Sequence, residues 1–162
     1  MAQGDFFLKI DGIDGESQDD KLKNHIQVLS VSLGVSNLGT GGSNLGSGAS
    51  KANVQDIHFT KPADKSSPNI FIHCCSGKHF PTATITMRKA AGDNKVDYLV
   101  YKLSEVFISS YNVSAHEGGG IAQESLSLNF STIEYNYTPQ NADGTPGAKI
   151  TKTYKIKENK VS

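Results

Sequence analysis

The side chains best suited to chemistry crowd into one stretch, His73-Cys74-Cys75-Ser76-Gly77-Lys78-His79. Thiols beside imidazoles suggest a metal site or a Cys–His nucleophile, and Ser76-Gly77-Lys78 suggests a phosphate cradle. The metal and phosphate readings fail on spacing, and the nucleophile would need a base placed by the fold. Zinc ligands must converge on one point, whereas consecutive residues of a helix diverge by about 100°. A phosphate loop needs glycine five residues before its second glycine and Ser or Thr after its lysine; Ile72 and His79 stand there. No activating motif surrounds Cys74 or Cys75, and neither HExxH, GxSxG nor a carboxylate pair occurs in the sequence. The expectation is a protein that is not an enzyme, with no catalytic, cofactor-binding or metal-binding residues. Its two adjacent cysteines read as small buried side chains in a reducing compartment.

The elements that position this stretch are legible around it. Ser67 reads as a helix cap and Pro68 as the first helical position. Gly77 reads as the left-handed residue that ends the helix, giving a short helix over about 68–76. Pro81 then leads into an extended run in which Thr82, Thr84, Thr86 and Arg88 alternate with Ala83, Ile85 and Met87. No second convincing helix appears, so the rest must pack as sheet. Ile26–Ser36 reads as one strand with Leu29, Val31, Leu33 and Val35 on its apolar face and Ser30, Ser32 and Ser36 opposite. Val54, Asp56, His58 and Thr60 share one side of the next strand. Gly92-Asp93-Asn94 reads as a hairpin tip. The run from Lys95 to Val113 changes the parity of its apolar face near Lys102, which predicts a bulge. Gln123–Tyr137 reads as one amphipathic strand, with Leu126, Leu128 and Phe130 inward and Gln123, Ser125, Ser127, Asn129 and Ser131 outward; Ile150–Ile156 is the last strand. Many strands, hairpin spacing and no βαβ alternation predict a mainly β, antiparallel barrel or sandwich.

Length and charge bound the function. The 162 residues suit one domain, 1–162, and the 16 basic and 16 acidic residues cancel. Nothing in that balance points to nucleic acid or an anionic membrane. No apolar run approaches a membrane span, and MAQGDFFLKI lacks the charged region and hydrophobic core of a secretory signal. One segment breaks the sheet pattern. Residues 37–52, NLGTGGSNLGSGASKA, form a long loop of small residues carrying two apolar knobs, Leu38 and Leu45. A loop of that length is usually functional or disordered, and one that settles against a neighbouring subunit fits. The outward faces of several strands are small, neutral and hydroxylated, suited to an ordinary wet sheet face or to the lining of a passage.

Taken together, several blocks resemble the haemolysin-coregulated protein family, Hcp, the tube component of the type VI secretion system. They are Asp14-Gly15-Glu16-Ser17, Lys51-Ala52-Asn53-Val54-Gln55-Asp56, Phe59-Thr60-Lys61 and Asp64-Lys65-Ser66-Ser67-Pro68. Gly77-Lys78-His79, Thr86-Met87-Arg88-Lys89-Ala90 and Tyr135–Gly144 follow in the family's order. The chain departs at Leu33, where members often carry an aromatic residue.

The resemblance implies a small two-sheet β-barrel with one flanking helix and no catalytic residue. It implies homo-hexameric rings that stack into a tube, carry and protect effector proteins in the lumen, and end in a spike trimer. A contractile sheath drives the tube. Assembly would be cytoplasmic and export would need no cleaved signal. Within that frame Ser30, Ser32, Ser125, Ser127 and Asn129 are the expected lumen-facing residues. Leu38, Gly41, Gly42, Leu45 and Lys51 are the expected contacts between subunits or rings. The alternatives are a phage-type tail tube and a monomeric β-sandwich binding module. The latter needs exposed aromatic platforms, which an aromatic content of 8% disfavours.

Overall fold

A computed structural model describes residues 4–37, 51–91 and 94–162. In chain order the strands are β1 (Gly4–Ile10), β2 (Ile26–Val28), β3 (Ser30–Ser32), β4 (Val35–Ser36), β5 (Asn53–Val54) and β6 (Ile57–Pro62). The helix α1 (Ser67–Ser76) follows, then β7 (His79–Ala91), β8 (Asn94–Ser114), β9 (Gln123–Asn129), β10 (Thr132–Tyr137), β11 (Ile150–Lys155) and β12 (Lys160–Val161). Every pairing between these strands is antiparallel.

The long strand β8 is the spine. From one side the sheet runs β8–β7–β1–β2; from the other it runs β8–β9–β6–β3. The far ends of these two arms, β2 and β3, are separated in sequence by Leu29 alone, whose amide donates to the Thr60 carbonyl at 2.6 Å. The sheet therefore curls back on itself, and a barrel results. The wing β10–β11–β12 extends from β8 beside β9. Leu8, Ile10, Ile26, Ile57, Ile85 and Leu103 are wholly buried in the interior. The helix closes one end, with Ile70 fully buried and Phe71 edge-on to Tyr111 at 6.0 Å.

Closure overrules the simple alternation expected of Ile26–Ser36. Val28 is buried while Leu29, the turning residue, is 57% exposed. Only Val31 and Leu33 of the expected apolar face pack on the core, and Val35 is exposed. The residue that passes the chain from one arm to the other cannot keep its side chain inside both. Gln123–Tyr137 likewise breaks into β9 and β10 at Phe130-Ser131, because the chain there moves from the end of β8 to its middle.

The bulge expected near Lys102 is divided over three places. Register shifts occur opposite Met87/Arg88 and at Ile108/Ser110, and Glu105 takes a left-handed φ of 51°. Glu105 is consequently exposed and Val106 and Ile108 are buried, so the inward positions change parity between Leu103 and Val106. Both cysteines are free, Cys75 exposed and Cys74 half-buried; the short helix offers the core only Ile70 as a buried side chain. The Gly92-Asp93-Asn94 tip lies outside the described residues except for Asn94, which opens β8.

The residues between β1 and β2 form a flap over β7. Gly15 is needed there: a Cβ would sit 2.5 Å from the His25 carbonyl oxygen and the Ile26 Cα. The flap carries Asp19 to Arg88, which is buried on the outer side of β7 and bonds Asp19 at 2.8 Å and Asp97 at 2.7 Å. Burial pushes the Asp19 carboxyl up. Hydrogen bonds from Arg88, Lys95 and the Lys21 and Leu22 amides outweigh that and hold it well below the usual carboxylate range. Because the folded-state value lies below the ordinary 3.8, the stabilisation is complete above that pH and fades as the pH falls below it. Asp19→Asn is expected to lower stability by about 2 kcal/mol at pH 7. The gap to the parent should narrow in urea titrations carried toward pH 2.5, and a gap constant with pH would refute the latch.

Candidate functional site

Two polar assemblies stand out, one on the outer face of the barrel and one inside it. The outer assembly follows from register. Residues directly opposite on antiparallel strands share a face, and β6 lies between β3 and β9. One row therefore runs Ser30–Thr60–Ser125–Asn112 and the next Ser32–His58–Ser127–Ser110 across β3, β6, β9 and β8. Asp56 continues the β6 face two residues before His58. It accepts from Asn129 Nδ2 at 2.8 Å and from Ser109 Oγ at 2.6 Å. The hydroxyls knit the rows: Ser30 Oγ lies 2.5 Å from Thr60 Oγ1, and Ser127 Oγ lies 2.7 Å from Ser109 Oγ. The irregularity at Ile108/Ser110 lets both Ser109 and Ser110 reach Ser127. The result is a wall of hydroxyls and amides.

Register thus brings Ser30, Ser32, Ser125, Ser127 and Asn129 together on one surface, although they come from strands some 100 residues apart. Ser30, Ser32 and Ser125 are exposed and Asn129 is half-buried. Ser127 is not outward in the sense expected: only 3% exposed, it is capped by the serines of β8. Of the expected subunit contacts, Lys51 is exposed just before β5. Leu38, Gly41, Gly42 and Leu45 lie outside the described residues. The stem of that segment is the β4–β5 pair, Val35 opposite Val54 and Ser36 opposite Asn53.

The second assembly lies beneath α1. Lys61 and Glu124, both fully buried, face each other across β6 and β9 with Nζ 2.5 Å from Oε1. Asp64 approaches the same ammonium at 3.0 Å, and the Ser67 hydroxyl donates to Glu124 at 2.7 Å. Tyr111 donates its hydroxyl to the other Glu124 oxygen. Burial first, and then this bond, push the Tyr111 phenol up to about 12. An ammonium out of water is tolerable only when its partners are in place, and here Glu124 of β9 with Asp64 and Ser67 at the helix start supply them.

This cluster corrects the helix start. Ser67 is not the cap: the helix begins at Ser67, the cap position is Ser66 without a side-chain cap bond, and Pro68 is the second helical residue. The Ser67 hydroxyl is committed to Glu124 and to the Asp64 amide, the latter at 3.0 Å. Asp64 instead organises the turn by accepting from the Ser66 amide at 2.9 Å. Gly77 ends the helix as expected, at φ 65°, with its amide directed to the Cys74 carbonyl. The cluster itself was within reach of the sequence. Lys61 shares the inward parity of Ile57 and Phe59, and Glu124 that of Leu126 and Leu128. Opposite charges at inward positions of two strands are a pairing signal; which strands pair is not.

Among the described residues no three His, Cys, Asp or Glu side chains come close enough to hold a metal ion, and no helix is long and apolar enough to cross a membrane. The fold is a mainly β antiparallel barrel, one face of which is built from hydroxyls and amides. The comparisons place it. The family described as type VI secretion system effector, Hcp, matches residues 7–137. The protein hcp1 of Pseudomonas aeruginosa is 44% identical over 156 residues, covering 96% of each chain. Among solved structures, a type six secretion system protein superposes with a TM-score of 0.92 at 32% identity, over 99% of this chain and all of that one. Hcp1 from Salmonella typhimurium superposes at 0.80 with 39% identity, covering both chains fully. The chain belongs to the Hcp family of the type VI secretion system, whose members are secreted structural proteins and not enzymes.

Removing one partner of the buried pair should be costly. Lys61→Met is expected to lose about 3–5 kcal/mol by stranding Glu124, and adding Glu124→Leu should restore part of that loss. Chemical denaturation measures both; equal stability of the single and double variants would show that the charges are not coupled.

Proposed function

We propose that copies of this chain close into a hexameric ring, that rings stack into the inner tube of the secretion machine, and that the hydroxyl wall lines its bore and holds effector proteins during export. The observation that carries the reading is the wall itself: four strands present rows of short hydroxyls and amides, with His58 and Asp56 among them. Such a surface lets polypeptides of varied sequence dock without adhering irreversibly. Unpaired sheet borders and exposed apolar side chains elsewhere support assembly. Among the described residues β12 pairs only with β11, and Val161 is 77% exposed. An apolar groove of about 700 Å³ opens between the β4–β5 stem and the β10–β12 wing, lined by Leu33, Val35, Val54, Ile133, Tyr135 and Val161. Residues 37–52, rooted on that stem, reach a neighbouring subunit or the next ring. A spike trimer caps the tube and a contractile sheath surrounds it. The ring assembles in the cytoplasm and leaves as part of the secreted tube.

Native mass spectrometry is expected to return six-subunit assemblies, and electron microscopy closed six-fold rings. A monomer at every concentration would overturn the reading. Ser32→Gln, which adds bulk to the wall, should leave the ring intact and reduce the amount of effector protein that co-purifies. Undiminished retention by intact rings would move the cargo surface elsewhere.

A further inference from the structure

The formal charge of zero hides a separation. Along the path β12–β11–β10–β8–β7–β1–β2, the wing forms one end, and β1 and β2 with the flap between them form the other. Residues 149–162 carry five lysines and one glutamate, whereas residues 4–25 carry six carboxylates and three lysines. We infer that these two ends recognise each other in successive copies of the chain: the wing of one subunit receives the flap end of the next, in a head-to-tail contact.

The wing offers an apolar surface framed by lysines. Register sets Tyr135 opposite Lys152, Tyr137 opposite Ile150 and, at the border, Tyr154 opposite Val161, so these side chains share one face. Tyr135, Tyr137, Ile150 and Val161 are all exposed, and the same face runs into the groove of about 700 Å³. A contiguous apolar surface left open marks an interaction site. Lys152 lines that groove, Lys149 precedes β11 and Lys160 opens β12. All three are exposed, and none has an ion partner among the described residues; Lys155 and Lys157 are already matched by Glu158 and Glu105.

The flap end offers the complement. Asp5, Asp11, Glu16 and Asp20 are exposed and make no ion pair among the described residues, while Asp14, also exposed, meets only Lys9 at 2.7 Å. Leu29, 57% exposed, supplies the apolar knob. It follows Val28, whose partner on β1 is Phe6, and Asp5 stands next to Phe6. A knob with carboxylates at one end therefore matches a groove with lysines at the other. Self-pairing of either end sets lysine against lysine or carboxylate against carboxylate, which charge repulsion opposes. A contact between two different patches leaves one of each open after every addition, and the series ends only by closing into a ring.

This inference rests on the ring proposed above, and the experiment separates the two. Lys152→Glu with Lys160→Glu reverses the wing, and Asp14→Lys with Asp20→Lys reverses the flap. Circular dichroism checks that each full-length variant is folded, and native mass spectrometry counts its subunits. Each variant alone sets like charges across every contact, and the concentration at which its rings half-dissociate is expected to rise about tenfold or more. Mixed in equal amounts, the two restore opposite charges at every contact, and rings holding three copies of each are expected. Folded variants that each keep the parent's ring stability, or whose mixture forms no such rings, overturn the proposal and leave the ring in place; the wing then faces a different partner. Should a reversal unfold the chain, Lys152→Gln with Lys160→Gln decides, and rings as stable as the parent's overturn the proposal. A parent chain that forms no ring at any concentration overturns both.

Discussion

The structure depends on one constraint: two arms of a single antiparallel sheet must meet, and they meet at Leu29. With β2 bonded to β1 and β3 bonded to β6, the chain has one residue in which to pass between arms. That passage sets the curvature of the whole sheet. It gathers the inward side chains into one buried core, and it leaves Leu29 exposed. Isoleucine-rich inward positions fill the interior, so the apolar surface removed from water by closure supplies the driving force.

Once the barrel is closed, its ends need lids. The helix covers one, and the Lys61–Glu124 pair fixes the helix start against β6, β8 and β9. The flap residues cover the outer side of β7, where Arg88 holds Asp19. These two ionic contacts do different work. The first lies inside the closed end, surrounded by groups that satisfy it from four elements. The second fastens the connection between β1 and β2 onto the outer side of β7, and its strength follows the charge of one carboxylate.

The outer face left over by these demands is the one that faces solvent across β3, β6, β9 and β8. Short hydroxyls there satisfy one another laterally. A face of this kind contributes little to holding the barrel together, since each hydroxyl exchanges a bond to water for a bond to a neighbour. Its composition is thus open to be set by what the surface contacts.

Much of this was readable in the chain. Alternation of threonine with Ala83, Ile85 and Met87 placed β7. The Leu126–Leu128 spacing placed β9. Pro68 and Gly77 bracketed the helix to within a residue at each end, and family blocks spread over the chain pointed to Hcp. These are local facts, written by side-chain periodicity and by backbone conformations that few residues tolerate. Tertiary structure alone decided which strands are neighbours, and with that the assembly of Ser30, Thr60 and Ser125 into one row. It also took Ser67 from the helix cap and gave its hydroxyl to Glu124, buried Ser127 under Ser109 and Ser110, and turned Leu29 outward. The reason is common to all four: each depends on a partner distant in sequence, and local periodicity carries no information about which distant strand will lie alongside.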